Sequence, residues 1–171
     1  TYKISVEGKT RTIDVTSILG SNKHDIVFGD TKEGSFAIRV APSLRLQGEV
    51  AKGHISPSEG MKDKAAWGKP AKWVAYYGPD AKGTPTVIAI LDHSKNLRHP
   101  TWWHARDYGL LTANPFGIRA FKDKVIKESG NYTLKKGKTI TQRYRLILHQ
   151  GTIESAKVEE NWKAFTAEKK K

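Results

Sequence analysis

Between Asp92 and Gly117 the chain places three of its six histidines, two of its five tryptophans, two arginines and two aspartates. This is a poor filling for a core, because every buried imidazole, guanidinium or carboxylate needs a partner. Either these groups stitch a strand to a neighbouring loop, or they line a pocket. For a pocket, His104 is the acid–base candidate, since imidazole titrates near neutral pH. His99 is a second catalytic candidate. Arg106 can clamp a carboxylate or oxyanion with its planar fork. Trp102 offers a ring face to a pyranose. His93, Asn114 and, from another segment, Arg39 are ligand-binding candidates, with Glu59 a further addition. If Trp102–Leu110 is a strand, His104, Arg106 and Tyr108 share one side, while Trp103 and Asp107 take the other. Asp107 then acts as a brace, paired with an arginine or with backbone amides. The expectation is that His99, His104, Arg106 and Asp107 meet at one concave face, with Arg39 near them.

The same stretch also holds groups suited to a metal ion, namely His93, His99, His104 and either Asp92 or Asp107. The spacing His99-x4-His104-x2-Asp107 matches no strong metal motif, His104 and Asp107 diverge on a strand, and Arg106 would repel a cation. The sequence therefore gives no metal site and implies no cofactor. No nucleophile elbow, glycine-rich phosphate loop or paired-carboxylate spacing is present. With no cysteine, disulfides and thiolate chemistry are excluded.

The elements that must hold these residues are mostly strands. Runs rich in Val, Ile, Thr and aromatics recur between turn formers: 2–6 and 11–18 around Glu7-Gly8-Lys9, then 25–28, 35–40, 71–77, 84–91, 132–134 and 139–148. Residues 47–70 read as a long loop, an arm over a binding face. Val158, Trp162 and Phe165 recur at helical spacing, so one amphipathic helix is expected over 156–167, capped by Ser155. Many short strands and one terminal helix argue an antiparallel β-sandwich with a C-terminal α-helix. The 171 residues fit one domain, or the carboxy-terminal part of a larger sandwich.

The net charge of +13 favours polyanions in general, but it is spread out, and no nucleic-acid-binding motif accompanies it. Nucleic acid is therefore a weak expectation. No apolar run reaches the 18 or so residues of a membrane span. The chain opens on Thr1 without a signal peptide, as a processed form or a fragment would, and a periplasmic or secreted location is compatible with it.

Four segments carry a resemblance: Phe28–Leu44, Trp67–Gly78, Val87–Gly117 and the closing helix after His149-Gln150-Gly151. Together they resemble the carboxy-terminal part of an uncharacterised bacterial family labelled methane oxygenase PmoA-like. The resemblance implies a β-sandwich of the large sugar-enzyme type, and a further amino-terminal half that would be a partner of this one. The reading is a carbohydrate-related enzyme, or part of one, acting on a sugar or uronate by acid–base chemistry. The alternatives are a non-catalytic carbohydrate-binding module, a metal-dependent oxidoreductase as the family label implies, and a basic nucleic-acid-binding domain.

Overall fold

Alternating apolar and polar positions build most of the chain into antiparallel strands. The computed structural model describes residues 1–122 and 129–167. Its strands are β1 (Tyr2–Glu7), β2 (Thr10–Gly20), β3 (Ile26–Phe28), β4 (Phe36–Arg39), β5 (His54–Pro57), β6 (Trp73–Pro79), β7 (Pro85–Asp92), β8 (Trp102–Ala105), β9 (Leu110–Asn114), β10 (Tyr132–Leu134) and β11 (Thr139–Gln150). Two α-helices, α1 (Ile118–Phe121) and α2 (Val158–Thr166), complete it.

One six-stranded sheet runs β1-β2-β11-β7-β6-β5, a three-stranded sheet runs β4-β9-β8, and β10 pairs with β3. The chain is thus mostly β, a sandwich of unequal sheets. Its inner core joins Val74, Tyr76, Ile90 and Tyr144 of the large sheet to Trp103, Leu111 and Ala113 of the small one. On the outer face of the large sheet, α2 covers Ala75, Ala89, Leu91 and Ile147 with Val158, Trp162 and Phe165. The apolar stripe expected of the helix therefore faces inward, since burying it is what stabilises so short a helix. Among the described residues, no helix is long and apolar enough to cross a membrane.

Three expectations need correction. The stretch 47–70 is not all loop: His54–Pro57 pairs with β6, and Asp63–Ala66 forms a 3₁₀ turn that places Lys64 and Trp67 against β8. The helix begins at Val158 rather than 156, behind Lys157 in left-handed backbone, without a side-chain cap. Ser155 instead shares a hydrogen bond of 2.8 Å with the Nε2 of His149.

The third correction matters most. Residues 102–110 are not one strand. β8 stops at Ala105, and a tight turn over Arg106–Gly109 leads into β9, which pairs back on β8. The Gly109 amide donates to the Arg106 carbonyl, and the Arg106 amide to the Leu110 carbonyl, both at 2.9 Å. Gly109 sits at φ +93°, a left-handed position that favours glycine at the end of such a three-residue hairpin loop. A Cβ there would also lie 2.9 Å from Arg45 Cγ and 3.0 Å from Val40 Cγ2.

Candidate functional site

Because the chain reverses at Arg106–Gly109, strand alternation does not separate Arg106 from Asp107. Both line a cleft of about 210 Å³ together with Lys64, Trp67 and Ala105. The Arg106 guanidinium lies 5.8 Å from the Trp67 ring centre and 5.4 Å from that of Tyr108. Arg39 approaches the same Tyr108 ring at 5.5 Å. The expected nearness of Arg39 to Arg106 is thus realised through a shared tyrosine. Below the turn, the buried Tyr76 hydroxyl bonds the Arg106 carbonyl and lies 3.2 Å from the Leu110 carbonyl. Burial pushes that phenol well above its ordinary pKa, so it stays a neutral donor. The turn is therefore propped from the core, while its arginine is held between ring faces.

Asp107 is not the buried brace on the far side of a strand. Its carboxylate lies 3.5 Å from the ammonium of Lys64, a side chain 73% exposed. The bracing belongs to its backbone, whose carbonyl accepts the amides of Leu46 at 3.0 Å and Gln47 at 3.2 Å.

Within Arg106, the Nε is buried and finds no hydrogen-bond partner among the described residues; the same holds for Arg45 Nε, packed beside Gly109. A guanidinium N–H without an acceptor is costly.

His104 sits next to this cleft but is only 3% exposed. The indole N–H of Trp67 donates to its Nδ1 at 3.3 Å. Indole nitrogen only donates, so Nδ1 must be the unprotonated nitrogen and Nε2 carries the proton. Burial first, and then the Arg106 charge, lower its pKa below the ordinary histidine value. His104 is thus a neutral ring whose one lone pair is already engaged. Phe121 of α1 closes over it, 6.1 Å from the imidazole and 5.4 Å from Trp67. Trp102 does share a side with His104, stacking on the same Phe121 at 6.3 Å, while Trp103 is in the core.

The remaining candidates are elsewhere. His99 does not join His104: its Nδ1 meets the fully buried Asp92 carboxylate at 2.7 Å, and its ring stacks on Trp162 at 5.8 Å. The other Asp92 oxygen accepts from Asn96 at 2.7 Å, and the Thr101 amide adds a bond of 3.1 Å to the first. Asn96 also exchanges bonds with the Arg143 backbone, and Trp162 Nε1 donates to the Asp92 carbonyl. This knot ties the end of β7, the 93–101 loop, β11 and α2 together. His93 lies edge-on to Phe165 of α2, with its Nδ1 accepting the Lys95 amide. Asn114 is fully buried and spends its amide on the Thr31 carbonyl and the Phe116 amide, so it cannot meet a ligand. Glu59 is exposed and accepts from Ser58. Among the described residues, no three His, Asp or Glu side chains gather as a metal site would require. A larger cavity of about 540 Å³ between Ala41 and Gly83 contains none of the candidate residues.

A family model described as a family of unknown function, DUF6807, matches residues 1–163. The chain belongs to that family. No curated protein and no solved structure matches it. Within this DUF6807 chain, Lys64, Trp67 and Tyr76 are the site residues that the sequence reading missed. The first two fall in the stretch taken as loop. Tyr76 looks like any inward strand residue. The turn itself had a local signal, Asp107-Tyr108-Gly109, with a small residue where left-handed backbone is needed.

Proposed function

We propose that the cleft beside the Arg106–Gly109 turn binds the carboxylate of an acidic, sugar-like ligand, with Arg106 as the anion clamp. The carrying observation is the Arg106 guanidinium, flanked by two aromatic rings on a cleft wall. Lys64 and Arg39 add positive charge nearby, and Asp107, the one carboxylate among the described lining residues, is engaged by Lys64. Trp67 supplies an apolar wall on which a pyranose ring can lie.

The geometry favours binding over acid–base catalysis by His104. A general base needs a free lone pair within reach of its proton. The Nδ1 lone pair of His104 is held by Trp67, and the ring lies under Phe121. His104 is then a positioning residue that sets the Trp67 ring.

Calorimetric titration with galacturonate and with galactose tests this reading. Galacturonate binds and galactose does not. Arg106→Ala weakens galacturonate at least tenfold, which is about 1.4 kcal/mol. Arg106→Lys recovers only part of the loss, because an ammonium lacks the two-pronged fork. Equal affinity for the two sugars, or wild-type affinity in Arg106→Ala, would sink the proposal.

A further inference from the structure

The small sheet does not cover the whole inner face of the large one. Tyr2, Ile4 and Val6 of β1 sit opposite Val15, Ile13 and Arg11 of β2, and Val15 and Ile13 in turn sit opposite Tyr144 and Leu146 of β11. Directly opposed residues share a face, so the stripe on β1 continues the face that carries the inner core. Yet Tyr2 is 74% exposed, Ile4 70% and Val6 66%. β1 is also the edge of its sheet. Thr1 and Thr16 exchange both backbone bonds, at 2.8 and 2.9 Å. Antiparallel bonding alternates, so Lys3, Ser5 and Glu7 also face β2, and the N–H and C=O groups of Tyr2, Ile4 and Val6 point away from it. A free edge with an apolar stripe is a template for another strand.

We infer that β1 pairs with β1 of a second copy, antiparallel and centred on Ser5, so that the six-stranded sheet continues across a two-fold axis. The edge is self-complementary in that register. Ile4 faces Val6 of the second copy, and each such pair has its donors and acceptors pointing outward to be exchanged. Lys3 faces Glu7 of the second copy, and by symmetry Glu7 faces Lys3. The neighbouring register that the bonding pattern also permits, Ile4 on Ile4, sets Lys3 against Ser5 and loses that charge match. The dyad keeps the two apolar stripes on one side of the joined sheet, where Ile4 and Val6 flank each other as cross-strand pairs. This inference does not rest on the ligand proposal, since no cleft residue is involved.

Light scattering behind size exclusion, with sedimentation equilibrium, tests it on the full chain. A dimer is expected at micromolar concentration. Ile4→Lys should abolish it, because two ammonium groups would enter the joined stripe. Lys3→Glu sets carboxylates against carboxylates twice and should raise the dimer dissociation constant roughly tenfold. Lys3→Glu combined with Glu7→Lys restores opposite charges and should return the constant to within about threefold of wild type. Circular dichroism checks that these exposed substitutions leave the fold intact. A wild-type monomer overturns the inference. So does a dimer indifferent to Ile4→Lys, or a charge reversal that the double variant fails to rescue.

Discussion

Asp92 and Arg106 belong to the same crowded stretch, and the fold treats them in opposite ways. Asp92 is fully buried, and three donors reach its two oxygens, from Asn96, His99 and Thr101. Arg106 is half-buried at the mouth of a cleft, held by ring faces, with an Nε that nothing satisfies among the described residues. The first is a knot that fixes four segments. The second is a group positioned at the cost of a missing partner. Residue type alone does not tell them apart; the list of hydrogen-bond partners does. A satisfied polar cluster is structural unless something displaces its partners, whereas an unsatisfied buried group calls for an explanation of its own.

The largest expected break in this comparison is Asp92→Ala. It strands three donors in a buried site and should cost about 3–5 kcal/mol, lowering the thermal midpoint by roughly 10 °C. Galacturonate affinity, measured well below that midpoint, should change little. A loss of affinity larger than the loss of stability would join the two regions that the account separates.

Next is Trp67→Phe, which keeps a ring over Arg106 but deletes the donor to His104. A buried acceptor left without a partner costs about 1–3 kcal/mol. Thermal unfolding should show that loss, and a change near zero would mean that the Trp67–His104 bond does not form in solution.

A smaller effect is pH dependence. Burial lowers the pKa of His93, His104 and His149, with Arg143, Arg106 and Lys9 adding to it respectively. The unfolded chain then takes up protons more readily than the folded one, so stability is full above the ordinary histidine value of 6.5 and is lost as pH falls below it. The thermal midpoint should fall between about pH 7.5 and about pH 5.5, and His104→Asn should flatten that slope. An unchanged slope would place the burden on the other two histidines.

The smallest effect belongs to Asp107. Its partner Lys64 is solvated, so Asp107→Ala should alter stability by about 1 kcal/mol or less. A loss as large as that of Asp92→Ala would restore Asp107 as a buried brace.

The sandwich was legible because its signals are local and periodic. Phe36, Ile38 and Val40 alternate, and Val158, Trp162 and Phe165 recur at helical spacing, whichever partners they meet. The site was half legible. His104, Arg106, Trp102 and Arg39 stand out by type, and the structure sets His104 and Trp102 against Phe121, and Arg106 and Arg39 against Tyr108. The division of labour was hidden by one turn. Reading 102–110 as a continuous strand put Asp107 on the wrong side and promoted His104 to the cleft wall. Trp67 and Lys64 arrive from a distant 3₁₀ turn, and such long-range approach leaves no periodic trace. His99 stood close to His104 in sequence, but the 93–101 loop carries it to Asp92 and α2 instead.

The most direct test of the central claim observes the Arg106 Nε–H itself. In a ¹⁵N-labelled chain, its guanidinium resonance can be assigned by its loss in Arg106→Lys. Added galacturonate should shift that resonance in a saturable way, because a carboxylate bound by the guanidinium changes the surroundings of its Nε–H, and galactose should leave it where it was. A resonance that ignores galacturonate, or moves equally with galactose, would contradict the account.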